Sequence, residues 1–413
     1  MNPFEQSSKN KINYYSLKNL AVKSYDKYET APYTKTRVIL MNGTEFESNW
    51  FYHQFARHCS NNDLRREIAT IRRSEQQQQK RISSLKPINE SILETTLSYE
   101  QLAVDLTAIL AKREKDFAVK NQLDFALLED FDHLYRFTDL LYMDERENYK
   151  NLIGSYTEIM PGRPTVAEHR HPFDDIRKPI INYLSDPLTK LHVNIITAAE
   201  QQTMNYYMNV GSFYRNQIGR TLYSEIAMIE EQHVSGYESL KDPNSTWLEC
   251  ALMHEYTECY LYYSCYKDES DEVIKKVWLA HFEDELTHLK KIAELLYKYE
   301  GKHYQDVLIT LDFPELLSFK ENKAYIREVL KNIRLTSQRE NYVDVNSLKG
   351  ANTFDEYQKA VVKNPLGAPS HKVNDKYNSK FGEDLRYETA PHPEKALRDR
   401  TKDTYEIGRI KNA

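Results

Sequence analysis

Ile226-Ala227-Met228-Ile229-Glu230-Glu231-Gln232-His233-Val234-Ser235-Gly236-Tyr237 reads as an amphipathic helix whose apolar stripe is broken by one acid and one imidazole. Ile226, Glu230, His233 and Tyr237 follow one another at steps of four, three and four, so they share one helix face. The same test places three more acids on apolar stripes. Val193, Ile196, Glu200, Met204 and Tyr207 form one, Leu248, Leu252, Glu255, Cys259 and Tyr262 a second, and Trp278, Phe282, Glu285, His288 and Ile292 a third. Carboxylates that face the interior of a helical core repel one another and lose hydration, at a cost of several kcal/mol each unless cations neutralise them. The pattern therefore predicts bound metal. Four carboxylates balance two divalent cations, and an oxygen-rich shell with two imidazoles and no thiolate suits Fe or Mn better than structural Zn.

The spacing predicts how the four helices connect. The acids stand at 200, 230, 255 and 285. Two acids about 30 residues apart come level if the chain turns midway, with about 15 helical residues, roughly 22 Å, on each arm. The midpoints, near Arg215 and Ser270, are polar, and Pro243-Asn244-Ser245 marks the middle connection.

A repeat extends the reading to the first half of the chain. Ser84-Leu85-Lys86, Asn89, Leu93 and Glu94 recur without a gap 155 positions later as Ser239-Leu240-Lys241, Asn244, Leu248 and Glu249. In that register Glu45 falls on Glu200, Glu75 on Glu230, Glu100 on Glu255, Asp130 on Glu285 and His133 on His288. A duplicated unit of roughly 110 residues is expected, with a connector between the copies. The first copy departs from the second at two positions: Gln78 stands where His233 stands, and Ala103 replaces Glu258. An amide is a poor substitute for imidazole as a ligand. The first set, Glu45, Glu75, Glu100, Asp130 and His133, is therefore expected to be a degenerate site, empty or weakly occupied.

Glu230-x-x-His233 and Glu285-x-x-His288, together with Glu200 and Glu255, resemble the ferritin-like di-iron and di-manganese carboxylate proteins, of which rubrerythrin-type proteins, manganese catalases and ferritins are members. The resemblance covers both repeats. It implies an all-α fold of two tandem ferritin-like four-helix bundles forming a pseudo-dimer, with two Fe or Mn ions in the second bundle. It also implies that Glu230 and either Glu285 or Glu255 bridge or chelate, that His233 and His288 each hold one metal, and that Glu258 is an additional carboxylate. A surface salt bridge is the other reading of Glu258. The implied activity is that of an oxidoreductase acting on O2 or peroxide. With no Cys-x-x-Cys pair to hold an iron–sulfur module, rubrerythrin-like chemistry implies an external electron donor, whereas manganese-catalase chemistry, in which peroxide is both oxidant and reductant, needs none. Iron binding or storage without turnover is the alternative.

Composition bounds the rest. A chain of 413 residues is long for one core. The expected divisions are an arm over 1–37, bundle 1 over 38–145, a connector over 146–187, bundle 2 over 188–301, further helices over 302–345 and a polar arm over 346–413. A net charge of −6 gives no reason to expect nucleic acid or an anionic membrane as partner. No signal-like leader and no run of 18 apolar residues is present, so a cytoplasmic protein is expected. The connector segment from Glu168 to Asp175 is dense in ligand-type and charged side chains. It reads either as a salt-bridged crossover or as a loop that lids a metal site.

Overall fold

The computed structural model describes residues 1–348, 353–382 and 389–398. Its α-helices are α1 (Pro32–His58), α2 (Asn62–Ser83), α3 (Ile92–Arg113), α4 (Phe117–Glu145), the single turn α5 (Lys150–Ile153), α6 (Pro187–Phe213) and α7 (Gln217–Ser239). They continue with α8 (Trp247–Asp268), α9 (Glu272–Glu300), α10 (Tyr304–Val307), α11 (Lys323–Val329), α12 (Thr353–Val361) and α13 (Pro369–Phe381). One antiparallel hairpin, β1 (Leu335–Gln338) and β2 (Asn341–Asp344), is the only sheet among the described residues. The fold is all-α. No described helix is long and apolar enough to cross a membrane.

The 155-residue repeat is written into the helix ends. Asn61 caps α2 and Asn216 caps α7, each accepting backbone N–H bonds through its side chain. Ser91 with Glu94 at α3, and Thr246 with Glu249 at α8, form equivalent capping boxes. Asp116 and Asp271 cap α4 and α9, and Arg146 and Gly301 end the same two helices in the left-handed conformation. These caps lie 155 positions apart, and they start and stop the helices in the same register in both copies.

The compact units cut across the two repeats expected at 38–145 and 188–301. Unit 1 comprises residues 1–90, 179–202 and 241–319; unit 2 comprises 91–178, 203–240 and 320–413. In unit 1, α1 packs on α2 and α8, and α9 on α2 and α8. In unit 2, α4 packs on α3 and α7. The chain leaves unit 1 after Glu90 and re-enters it at Lys241, so the second hairpin of each copy packs away from the first hairpin of its own copy. Helix α6 is continuous through the remaining division, its residues to Gln202 grouping with unit 1 and those from Thr203 with unit 2.

Each unit has an apolar interior of its own. Leu40, Ile68, Ile71, Leu252, Trp278 and Leu289 are fully buried in unit 1, as are Leu97, Leu123, Leu134, Phe137, Tyr223 and Ile226 in unit 2. Burial of each such side chain is worth about 1.5–3 kcal/mol.

The segments expected to be arms are packed. In unit 1 the Tyr15 backbone N–H donates to Gln77 Oε1 at 2.7 Å and the Val22 N–H to Ser84 Oγ at 2.8 Å. In unit 2 the connector does the same one repeat later: the Arg170 N–H donates to Gln232 Oε1 at 2.7 Å and the Arg177 N–H to Ser239 Oγ at 2.8 Å. N-terminal segment and connector are thus copies of one strap, and the repeat is longer than 110 residues. Extended backbone held by side chains leaves no periodicity, so composition alone reads as an arm. At the other end, α13 packs on α4 and α7, burying Val373 and Tyr377, and the Ser370 N–H donates to Glu225 Oε2 at 2.7 Å. The remainder of the expected C-terminal arm, 349–352, 383–388 and 399–413, lies outside the described residues.

The strap of unit 2 also fixes a close approach. A Cβ at Gly162 would lie 2.7 Å from the Leu128 carbonyl oxygen and 3.0 Å from the Asp132 backbone nitrogen. Both atoms belong to the α4 backbone and cannot step aside. Gly162→Ala is expected to destabilise the protein by about 1–3 kcal/mol, the usual cost of overpacking, measured by urea unfolding; an unchanged midpoint would contradict this contact.

Candidate metal centres

Two sets of buried acids result, one in each unit. In unit 1, α1 brings Glu45, α2 Glu75 and Gln78, α8 Glu255 and Glu258, and α9 Glu285 and His288; all are fully buried. Ligand atoms of Glu75, Glu255, Glu285 and His288 lie within 4.8 Å of one another, and so do those of Glu45, Glu75 and Glu258. Glu75 belongs to both groups. His288 Nδ1 is 2.6 Å from Glu75 Oε1, 3.2 Å from Glu285 Oε2 and 3.8 Å from Glu255 Oε2. Tyr52 donates its hydroxyl to Glu255 and Tyr262 donates to Glu45.

In unit 2, α3 brings Glu100, α4 Asp130 and His133, and α7 Glu230 and His233, again all fully buried. Glu100, His133 and Glu230 form one ligand group; Asp130, Glu230 and His233 belong together in another, with Glu230 shared. His133 Nδ1 is 3.1 Å from Glu230 Oε1, and His233 Nδ1 is 3.2 Å from Asp130 Oδ1 and 3.3 Å from Glu230 Oε2. The outer nitrogens are held by carboxylates: His133 Nε2 lies 3.0 Å from Glu168 Oε2, and His233 Nε2 lies 2.7 Å from Glu129 Oε2. Glu129 is in turn gripped by Arg163 and Arg170. Tyr207 donates to Glu100 Oε1 at 2.5 Å.

The structure therefore redistributes the residues expected to form one complete site. Glu255, Glu258, Glu285 and His288 lie together in unit 1 with Glu45 and Glu75, while Glu230 and His233 lie in unit 2 with Glu100, Asp130 and His133. Glu200 is buried on α6, three residues before that helix passes into unit 2, and is not among the acids around Glu75. Glu258 is fully buried, so it is not a surface salt-bridge partner. The connector is salt-bridged, and it also touches one of the buried imidazoles. Arg170 bridges Glu129 and Asp175, and Glu168 reaches His133. Glu129 had no signal of its own, being masked by the neighbouring Asp130 on the same helix.

The unit 1 set is electrostatically strained. Burial, then repulsion from Glu75, pushes the Glu285 carboxyl up to about 7 despite His288 beside it. Glu45, Glu255 and Glu258 are driven well above the carboxylate range, first by burial and next by Glu75. His288 is pulled down by burial, yet Glu285 and Glu75 hold it well above its ordinary value. In unit 2, burial opposes ionisation of Glu230, but hydrogen bonds from His133 and His233 bring it down to about 2. Among the described residues both oxygens of Glu258 lack a hydrogen-bond partner although fully buried, and so does Glu75 Oε2, whereas Glu75 Oε1 faces His288 Nδ1. Such atoms are costly in an apolar interior, and the donor set around them, carboxylate oxygen with imidazole nitrogen, fits Fe or Mn. No family model, curated protein or solved structure matches the chain.

Proposed function

We propose that the chain is a ferritin-like dimetal oxidoreductase, built of two ferritin-like bundles, which reduces O2 or peroxide at a carboxylate–histidine centre in unit 2. The observation that carries this reading is the sharing of Glu230 between two ligand groups, each with its own imidazole. Glu230 would bridge. Glu100 and His133 would hold one metal, and Asp130 and His233 the other. A reduced iron or manganese pair held there would supply the electrons and the open coordination positions that the reaction requires.

The chain's own residues orient that pair. Glu168 and Glu129 hold the outer nitrogens of His133 and His233, which fixes ring orientation and tautomer and leaves each Nδ1 facing the acids. Tyr207 holds Glu100 by its hydroxyl. Surrounding burial excludes water from both imidazoles. With no Cys-x-x-Cys pair in the chain, O2 reduction would draw its electrons from a separate donor, while peroxide disproportionation would need none.

Stopped-flow addition of O2 or peroxide to the iron- or manganese-loaded, reduced protein tests the reading. Transient absorption followed by turnover supports it; metal that stays inert supports binding or storage instead. Glu129→Gln, which keeps shape but weakens the grip on His233, is expected to lower metal affinity in unit 2 by about 10–100-fold, read by isothermal titration. Unchanged affinity would show that Glu129 has no orienting role.

A further inference from the structure

The two departures of the first repeat from the second meet in unit 1. In the 155-residue register Gln78 replaces His233 and Glu258 stands where unit 2 has Ala103, so an imidazole has been lost and a carboxylate gained. Glu258 belongs to the group with Glu45 and Glu75, while His288 belongs to the group with Glu75, Glu255 and Glu285. Every donor in the first group is a carboxylate. Both Glu258 oxygens are fully buried and have no hydrogen-bond partner among the described residues. Gln78 donates its amide to Glu285, leaving its own fully buried Oε1 without a partner among those residues. The imidazole of His254 does not replace the missing one. Its Nδ1 is engaged with Glu47 Oε2 at 3.0 Å, and its Nε2 stays 3.7 Å from Glu258 Oε1.

We propose that unit 1 is not degenerate but holds an unequal pair, in which the Glu45–Glu75–Glu258 position takes an oxygen-preferring divalent cation of the Mn2+ and Mg2+ class. Imidazole favours Zn2+, Fe2+ and Cu2+, whereas carboxylate and carbonyl oxygen suit Mg2+ and Mn2+. Removing the only nitrogen from a three-carboxylate shell therefore narrows the advantage that Zn2+ holds at the imidazole-bearing positions. The amide oxygen of Gln78, a hard donor, is the remaining neutral group at the place of the lost ring. This inference rests on the reading that cations hold the buried acids together, but not on redox turnover.

The test is Mn2+ loading of the chelator-stripped full chain, followed by Zn2+ titration, with bound Mn2+ read by electron paramagnetic resonance and total metal by mass spectrometry. One Mn2+ per chain is expected to outlast the others as Zn2+ is added. Gln78→His restores the imidazole and is expected to raise Zn2+ preference at that position by about tenfold or more, since even outer-shell changes shift affinity about 10–100-fold. Glu258→Gln is expected to lose the resistant Mn2+ while the other positions fill. Displacement of all Mn2+ in a single phase, or an unchanged profile in Gln78→His, overturns the inference and leaves the dimetal reading of unit 2 standing. A wild-type chain that binds no metal overturns both.

Discussion

Glu230→Ala is expected to remove two metal ions per chain, both from unit 2, and to leave the ions of unit 1 in place. The side chain lies between His133 Nδ1 at 3.1 Å and His233 Nδ1 at 3.3 Å and belongs to both ligand groups of its unit. Deleting it takes a ligand from each position at once. It also leaves two fully buried imidazoles facing Asp130 and Glu100 without the carboxylate they share. His288→Ala is the complement, removing the only imidazole of the unit 1 set. If each centre is built from both repeats, the two losses add, because Glu230 and His288 belong to different ligand groups. If the second repeat alone formed one centre, either substitution would empty the same site and the double variant would lose no more than the single. Metal counting by mass spectrometry on the two single variants and the double variant distinguishes these results.

Stripping the metals is expected to reverse the pH dependence of stability. In the stripped protein Glu285 titrates near 7, against about 4.3 for an unfolded glutamate. Its neutral form is the one the fold prefers, so that contribution is present below about pH 4.5 and is lost as pH rises towards 7. His288, held above its ordinary value by Glu285 and Glu75, acts in the same direction. Its contribution is present below about pH 6.5 and disappears as pH rises through its folded value. Carboxylates held low, such as Glu230, Glu225 and Glu269, finish titrating below this window. Burial holds His254 and His281 low, which works the other way up to about pH 6.5. Glu45, Glu255 and Glu258, driven high, add to the loss. Stripped protein should therefore lose stability between about pH 6.5 and 8. Loaded protein should gain it over the same range, because metal binding needs deprotonated ligands. At a free metal concentration a hundred times the dissociation constant, each independent site adds about 2.7 kcal/mol. Melting temperatures of chelated and Mn2+-loaded protein across that range give the comparison, and parallel curves would show that cations do not neutralise these acids.

The sequence carried the inward direction of the acids in full. Helical periodicity set Glu230 with His233 and Glu285 with His288 on apolar stripes, and all four are fully buried. The turns were legible only to within a few residues: those expected near Arg215 and Ser270 fall beside the caps Asn216 and Asp271, and the caps themselves were not read. Which hairpins pack together was not legible. A repeat makes the second hairpin of either copy an equally good partner for a first hairpin, so stripes and spacing are unchanged when the hairpins are exchanged. Only the path of the chain after Glu90 and Leu240 decides it.

The same symmetry explains what was misassigned. Pairing Gln78 with its own repeat made that repeat look like one weak site, whereas in the fold Gln78 meets Glu285 and His233 meets Asp130. The carboxylates behind the imidazoles, Glu129 and Glu168, could not be read from periodicity. One adjoins a ligand, and the other lies in an extended strap. The straps themselves are recognisable only once Gln77 with Tyr15 and Gln232 with Arg170 are seen to make the same bond.

The most direct measurement is crystallographic: anomalous diffraction above and below the Mn and Fe absorption edges on metal-loaded protein. The account predicts two pairs of peaks per chain, one pair bounded by Glu75 with Glu255, Glu258 and His288, the other by Glu230 with Glu100, His133 and Asp130. Peaks absent from both sets, or lying only at exposed surface acids, would contradict it.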